Sequence, residues 1–103
     1  MKKIRVSIEY GCDLLWLYDE GGSLIRNGFP AELKNHAELA ALNYDILEIY
    51  HGLFVNNSVT FEYIGFQSEK EKQDFLSKIH RFIEVLRKEA DSKYQIEIES
   101  LKF

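Results

Sequence analysis

Residues 68–86 read SEKEKQDFLSKIHRFIEVL, and this stretch decides how the rest of the chain must be arranged. Ser68 and Glu71 have the spacing of a capping box, in which each side chain satisfies a backbone N–H that the first helical turn leaves without a partner. Apolar side chains then recur at helical spacing, at Phe75, Ile79, Phe82, Ile83 and Leu86. The stretch therefore predicts an amphipathic helix whose apolar face must be covered by another layer of structure.

The segments on either side of this helix have the pattern of β-strands. Residues 59–66, which follow a turn signal at Asn56-Asn57, are rich in β-branched and aromatic side chains. Residues 94–99 alternate apolar and polar side chains, which is typical of a strand with one buried face. The sequence thus predicts a strand before the helix and a closing strand after it.

An earlier helix is predicted from residue 31 to about residue 50. Pro30 suits the position at which a helix begins, because its fixed φ is already helical. His51 and Gly52 suit its end, since histidine is favoured at the negative helix end and glycine can adopt the left-handed cap conformation. The pattern leaves open whether residues 31–37 form a separate short helix. One apolar stripe follows helical spacing at Leu39, Leu42, Ile46, Tyr50 and Leu53.

The first thirty residues predict three strands. Apolar side chains from Ile4 to Tyr10 alternate with polar ones, which favours a strand buried on one face. Residues 14–18, LLWLY, are apolar on both faces and predict an interior strand. Residues 19–23, DEGGS, predict a hairpin turn that leads into a short strand at residues 24–26.

The element order is therefore β-β-β-α-β-α-β, and it predicts a single α+β domain over residues 1–103. A helix with one apolar stripe and a strand with one apolar face bury each other when they pack in two layers. We expect a mostly antiparallel sheet of four to five strands with two helices packed on one face. The chain length of 103 residues suits one domain of this kind.

Composition excludes several classes of function. The formal net charge of −4 argues against nonspecific binding to nucleic acid or to an anionic membrane, because both need a basic field. The single cysteine, Cys12, allows no internal disulfide and is expected to be a part-buried small hydrophobe. No signal-peptide core and no membrane-length apolar run occurs, so we expect a cytoplasmic protein.

One group of residues invites a catalytic interpretation, and it fails on geometry. Ser77, His80 and Glu84 share one face of the predicted second helix, but that face lies opposite the apolar stripe. A catalytic triad there would lack a cleft, an oxyanion donor and a buried orienting acid. His36, His51 and His80 do not have metal-ligand spacing. We therefore predict no enzyme activity, no catalytic residue, no metal and no cofactor.

Aromatic residues are frequent on the predicted strands. In a sheet covered by helices such side chains usually belong to the core, and less often form a platform for a ligand. A tyrosine or tryptophan left at an exposed edge would be a good anchor for a protein partner. The residues concerned are Tyr10, Trp16, Tyr18, Phe61 and Tyr63.

The negative charge is concentrated in residues 9–48, where eight acidic residues stand against two basic ones for a net charge of −6. Glu38, Asp45 and Glu48 lie on one arc of the predicted first helix, away from its apolar stripe. Asp19 and Glu20 form a second acidic patch at the hairpin tip. Two interpretations stay open, an ordinary solvated face or a docking surface for a basic partner.

Three stretches resemble small bacterial immunity proteins, namely YGCDLLWLYD at residues 10–19, NGFP at 27–30 and YIGF at 63–66. Such proteins are encoded beside contact-dependent or polymorphic toxins and block the toxin in the cytoplasm of its producer. The resemblance implies an inhibitor that binds a cognate toxin. The acidity adds that the toxin is basic, such as a nuclease domain, and that the chain does not itself bind nucleic acid.

The partner-binding residues predicted from charge are Glu38, Asp45 and Glu48, with Asp19 and Glu20 as the second patch. The alternative function is a small ligand-binding or regulatory module that uses the aromatic face of the sheet. An inhibitor and a ligand-binding module can share this fold class, so the fold alone does not choose between them.

Overall fold

The computed structural model describes residues 1–56 and 59–99, which form two sheets, two long helices and one short 3₁₀ helix. In chain order the elements are β1 (Lys2–Val6), β2 (Leu15–Tyr18), β3 (Leu24–Asn27), the 3₁₀ helix (Ala31–Leu33), α1 (Ala37–His51), β4 (Phe54–Asn56), β5 (Phe61–Tyr63), α2 (Glu69–Ala90) and β6 (Tyr94–Ile98). This order confirms the predicted α+β class and the predicted order β-β-β-α-β-α-β, with two short strands, β4 and β5, where one strand was predicted between the helices.

The main sheet has the strand order β3-β2-β1-β6, so β1 and β2 are its interior strands. β2 pairs antiparallel with both β1 and β3, whereas β6 returns parallel to β1 after α2. In this register Ile4 lies opposite Leu17 on one side and Ile96 on the other. Apolar side chains from three strands therefore share one face, as the interior strand predicted at residues 14–18 requires.

Both helices bury their apolar stripes in the core on that face of the sheet. Phe75 and Phe82 of α2 are fully buried, as are Leu39 and Ile46 of α1. These side chains form one cluster with the apolar face of β1 and β2. Ser68 accepts a hydrogen bond from the Glu71 N–H at 3.2 Å, which confirms the predicted start of α2.

β1 is shorter than the alternation up to Tyr10 predicted. It ends at Val6, although the Ser7 N–H still donates to the Leu14 carbonyl, and the chain then turns, with the Cys12 N–H donating to the Glu9 carbonyl. Gly11 has a φ of +79°, a conformation that glycine adopts without strain. Tyr10 therefore lies in a loop and not on the sheet.

The region before and after α1 also differs in detail from the prediction. A separate 3₁₀ helix follows Pro30, and α1 begins only at Ala37, where His36 Nδ1 accepts a hydrogen bond from the Leu39 N–H at 3.2 Å. Gly52 has a φ of −67°, so the expected left-handed cap is wrong. Its N–H donates to the Glu48 carbonyl, which continues the right-handed turn toward β4.

The strand predicted at residues 59–66 is realised as the second half of a hairpin. β5 covers only Phe61–Tyr63 and pairs antiparallel with β4 in a separate two-stranded sheet. The Ile64 and Gly65 N–H groups both donate to the Leu53 carbonyl, which takes the chain out of the strand. Of the predicted turn at Asn56-Asn57, Asn57 lies outside the described residues.

No helix in residues 1–56 or 59–99 is both long enough and apolar enough to cross a lipid bilayer.

A partly buried hydrogen bond joins β6 to the 3₁₀ helix before α1. Tyr94 begins β6, is 8% exposed, and donates its hydroxyl hydrogen to the carboxylate of Glu32 in the 3₁₀ helix. Burial and this carboxylate raise the pKa of Tyr94 to about 12. The same hydrogen bond lowers the pKa of Glu32.

The wild-type protein is expected to lose stability at alkaline pH as Tyr94 ionises, and replacing Tyr94 with phenylalanine is expected to remove this loss. Because folding raises the pKa of Tyr94, its contribution is complete below the unfolded value near 10 and is lost as the pH rises toward 12. A shift of this size corresponds to about 2–3 kcal/mol. Urea unfolding from pH 9 to pH 12 measures the loss in wild type and in Tyr94→Phe. Tyr44→Phe, at an exposed site, should behave like wild type. Equal alkaline losses in wild type and Tyr94→Phe would contradict this account.

Candidate functional site

Glu38, the first of the predicted partner-binding acids, forms an ion pair across the two helices. Arg81 of α2 donates from Nε and Nη2 to the two carboxylate oxygens at 2.8 and 3.2 Å. These bonds lower the pKa of Glu38 and raise that of Arg81. Arg81 also donates to Glu84 at 2.7 Å. The charge of Glu38 is therefore compensated within the chain.

Asp45 also forms an ion pair with α2, because its carboxylate lies 3.6 Å from Nζ of Lys78. Glu38 and Asp45 thus both face cations of the second helix. The predicted acidic arc of α1 is consequently divided, and two of its three carboxylates belong to contacts between α1 and α2. This pairing could not be predicted from the sequence, because the partners lie far apart along the chain.

The acids at the hairpin tip have local partners. Oδ1 of Asp19 accepts hydrogen bonds from the Gly21 and Ser23 N–H groups, each at 2.9 Å, and so holds the turn closed. Glu20 lies 3.7 Å from the amino group of Met1. Asp19 therefore has a structural role in the predicted hairpin turn.

Glu48 differs from the other predicted acids. It is exposed, and within residues 1–56 and 59–99 its carboxylate has no ion-pair partner within 4 Å. Tyr44, which is 64% exposed, and His51 occupy the same face of α1, four residues before and three residues after Glu48. This face leads directly to a cluster of aromatic rings at the end of α1.

The cluster, which we call the aromatic patch, consists of Tyr10, His51, Phe54, Phe61 and Tyr63. Phe54 and Phe61 are stacked with ring centroids 5.1 Å apart, and Tyr10 meets both rings edge-on at 5.2 and 4.9 Å. The Tyr10 ring lies 4.7 Å from the His51 ring. Phe61 is 56% exposed and Tyr63 is 50% exposed. Interlocked rings thus reach the surface as one group.

Three parts of the chain hold the aromatic patch together. The β4–β5 hairpin supplies three rings on one face, with Phe54 directly opposite Tyr63. The loop that carries Tyr10 is fixed to the end of α1, because the Gly11 N–H donates to Nε2 of His51 at 3.1 Å. The rings are therefore positioned by backbone pairing and by a hydrogen bond as well as by stacking.

The surroundings of the aromatic patch are acidic. The sequence has no Lys or Arg from residue 6 to residue 25 or from residue 35 to residue 69, and every residue of the patch falls in these two segments. Glu9 precedes Tyr10, and its charge is one of the causes that raise the pKa of Tyr50, after burial and Tyr63. Glu9 and Glu48 are exposed carboxylates on the segments that build the patch.

The preferred interpretation, that the strand aromatics belong to the core, is wrong for Tyr10, Phe61 and Tyr63. Tyr10, Phe61 and Tyr63 are exposed because they lie on the loop and on the small sheet, outside the layer between the main sheet and the helices. Trp16 and Tyr18 are half-buried on the other face of the main sheet, which neither helix covers.

Polar and charged side chains on that face of the main sheet already contact other residues of the chain. Trp16 donates from Nε1 to the Ser7 carbonyl at 3.1 Å, and Lys3 lies 5.0 Å above the Tyr18 ring. Two ion pairs join β1 to β6 and the residue just after it. Lys3 pairs with Glu97, and Arg5 pairs with Glu99. The aromatic sheet face is therefore occupied by contacts within the chain.

The residues considered for catalysis lie where the sequence predicted. Ser77, His80 and Glu84 are exposed on α2, and Cys12 is half-buried. In the part of the chain that the structure describes, no group of three His, Cys, Asp or Glu side chains is arranged to hold a metal ion. The aromatic patch is therefore the best candidate for a functional surface.

Comparison with family models and with characterised protein sequences returns no match for this chain. The resemblance to immunity proteins accordingly remains a prediction from the quoted residues.

Truncating Phe61 is expected to cost far less stability than truncating a core phenylalanine. Phe61→Ala removes an exposed ring and its stacking on Phe54, which is worth about 0.5–1.5 kcal/mol. Phe75→Ala leaves a cavity in the core and is expected to cost about 3–5 kcal/mol. Urea unfolding at pH 7 compares the two variants. A cost for Phe61→Ala as large as that for Phe75→Ala would show that the aromatic patch is a structural core.

Proposed function

We propose that this protein is an immunity-type inhibitor that binds a cognate bacterial toxin and neutralises it in the cytoplasm of the producing cell. The observation that carries the proposal is the aromatic patch, an exposed and interlocked group of rings beside carboxylates that have no ion pair with any residue the structure describes. The resemblance to immunity proteins supplies the class of partner. The acidity of the surface supports a basic partner, such as a nuclease domain.

The aromatic patch has the chemistry of a binding hot spot. Exposed contiguous apolar surface is unusual on a protein that acts alone, and tyrosine and other large rings dominate the energy of many protein interfaces. Phe61 and Tyr63 are already held in place by Phe54 and by the hairpin. Little side-chain freedom is then lost when a partner covers them, which favours tight binding.

The charge supports a partner with exposed lysine or arginine. Carboxylates at the border of an interface accelerate association with a basic surface and disfavour acidic competitors. Among the five acids predicted from sequence, Glu48 is the one that lies beside the aromatic patch without an ion pair in the described residues. We therefore place the docking surface at Glu48, Glu9 and the aromatic patch instead of at the whole acidic arc.

The alternative, a ligand-binding module that uses the aromatic sheet face, has less support. Trp16 and Tyr18 are engaged by Ser7, Lys3 and Arg5 on that face. A ligand there would have to replace these contacts before it gained any of its own.

The proposal predicts that a secreted protein with a variable C-terminal domain is encoded beside this chain. That domain is expressed from an inducible promoter in a bacterial host, alone or together with this chain. We expect the domain alone to stop growth and co-expression to restore it, with the two proteins co-purifying as a complex. Growth arrest that continues despite co-expression of the folded chain would contradict an immunity function.

Charge reversal at Glu48 and at Asp45 is expected to show whether the toxin binds beside the aromatic patch or along the rest of the acidic arc. Glu48→Lys should slow association with the toxin domain about tenfold at 50 mM salt, and the effect should shrink at 500 mM salt because the charge is screened. Asp45→Lys changes the net charge by the same amount but faces α2, so its effect should be less than about threefold. Stopped-flow or surface-binding kinetics measures both rates.

Phe61→Ala completes the set, because it changes no charge. It should increase the dissociation rate at least tenfold while leaving the salt dependence of association unchanged. If Asp45→Lys slows association as much as Glu48→Lys, and Phe61→Ala changes nothing, the docking surface lies along the contact between the helices and this placement is wrong.

A further inference from the structure

A second surface feature lies away from the aromatic patch and shares no residue with it. It is a pocket of about 380 Å³ between the segment after β3 and the N-terminal half of α1, with Asp13, Arg26, Gly28, Lys34 and Asn43 among its lining residues. The volume falls within the range of pockets that hold small molecules. None of the proposed toxin-binding residues contributes to it.

Two asparagines hold the wall of this pocket rigid. Asn27 accepts a hydrogen bond from the Asp13 N–H at 2.9 Å and donates to the Asp13 and Leu15 carbonyls at 2.8 and 3.1 Å. Asn43 accepts from the Leu14 N–H at 3.2 Å and donates to Oδ1 of Asp13 at 3.3 Å. The Asp13 carboxylate is therefore fixed before any ligand arrives.

Gly28 leaves open the space between the charged groups. A Cβ on this buried glycine would lie 3.8 Å from Oδ2 of Asp13 and 3.7 Å from Cδ of Arg26. Oδ2 is the Asp13 oxygen that does not accept from Asn43. An acceptor oxygen and the stem of an arginine thus border the same side-chain-free space.

The cations of the pocket form no ion pair in the described part of the chain. Within residues 1–56 and 59–99, neither Arg26 nor Lys34 has an ion pair within 4 Å, whereas Lys3, Arg5, Lys78 and Arg81 each have at least one. Both Arg26 and Lys34 are exposed and can reorient toward a ligand. The pocket therefore combines two available donors of positive charge with one fixed carboxylate.

We propose that this pocket binds a small carboxylic acid that also carries a hydroxyl or ammonium group. Arg26 and Lys34 bind the carboxylate, for which the planar guanidinium offers two parallel donors. Asp13 Oδ2 accepts a hydrogen bond from the hydroxyl or ammonium group. This inference does not depend on the proposed function, because the two sites use different residues.

Titration with L-malate and with succinate, observed by ¹H–¹⁵N NMR, tests the pocket directly. Succinate lacks only the hydroxyl group, so the pair isolates the role of Asp13. We expect L-malate to shift the Gly28 amide and the Asn27 and Asn43 side-chain amides, with a dissociation constant below about 2 mM. Succinate should bind at least about threefold more weakly. Inorganic phosphate, offered as a plain anion, should bind more weakly than L-malate.

Three variants test which side chains of the pocket bind L-malate. Arg26→Ala/Lys34→Ala should weaken L-malate binding at least tenfold, while Lys70→Ala/Arg87→Ala, which removes the same charge from exposed sites on α2, should leave it unchanged. Asp13→Asn places an amide where Oδ2 stands and should abolish the preference for L-malate over succinate.

Several results would overturn the proposal. These are an absence of shifts at Gly28 and Asn43, equal weakening by the two double variants, and tighter binding of phosphate than of L-malate. Phe61→Ala should bind L-malate like wild type, so failure at the pocket and failure at the toxin-binding surface remain separate results.

Discussion

The fold depends on β1 being enclosed between β2 and β6. Ile4 is opposite Leu17 and Ile96, and Val6 is opposite Leu15 and Ile98, so three strands present one continuous apolar face. Burying that face under Phe75 and Phe82 of α2 supplies the main stabilising interaction, because transfer of apolar area from water dominates folding. Parallel strands need a long crossover connection. β6 can pair parallel to β1 because the chain between them includes α2, which carries it back across the sheet.

This arrangement also decides what the surface offers. The two helices cover one face of the main sheet, and the β4–β5 hairpin forms its own sheet at the end of α1. Its rings cannot reach the core between sheet and helices, so Phe61 and Tyr63 meet solvent. Meanwhile the contact between α1 and α2 brings Arg81 to Glu38 and Lys78 to Asp45, which compensates part of the acidic arc. Of the three carboxylates on the acidic arc, only Glu48 has no ion pair within residues 1–56 and 59–99, and it lies beside the aromatic patch.

Sequence patterns correctly predicted several features that depend on residues close together in the chain. The cap of Ser68 on the Glu71 N–H, the apolar stripe of α2 and the turn held by Asp19 all follow local rules, and all are present. Pairings between distant segments could not be predicted, which is why the exposure of Phe61 and the ion pair of Glu38 with Arg81 came from the structure alone. A usable signal did exist for the candidate site, because Lys and Arg are absent from residues 35–69.

The central claim is that the aromatic patch and its neighbouring carboxylates form the surface that a basic toxin covers. Hydrogen–deuterium exchange of this chain, measured alone and in complex with the toxin domain that co-expression identifies, tests this placement. The account predicts slower exchange on binding at residues 9–12 and 61–64, with no change at residues 78–81 of α2. Protection at residues 78–81 with none at residues 9–12 and 61–64 would contradict it.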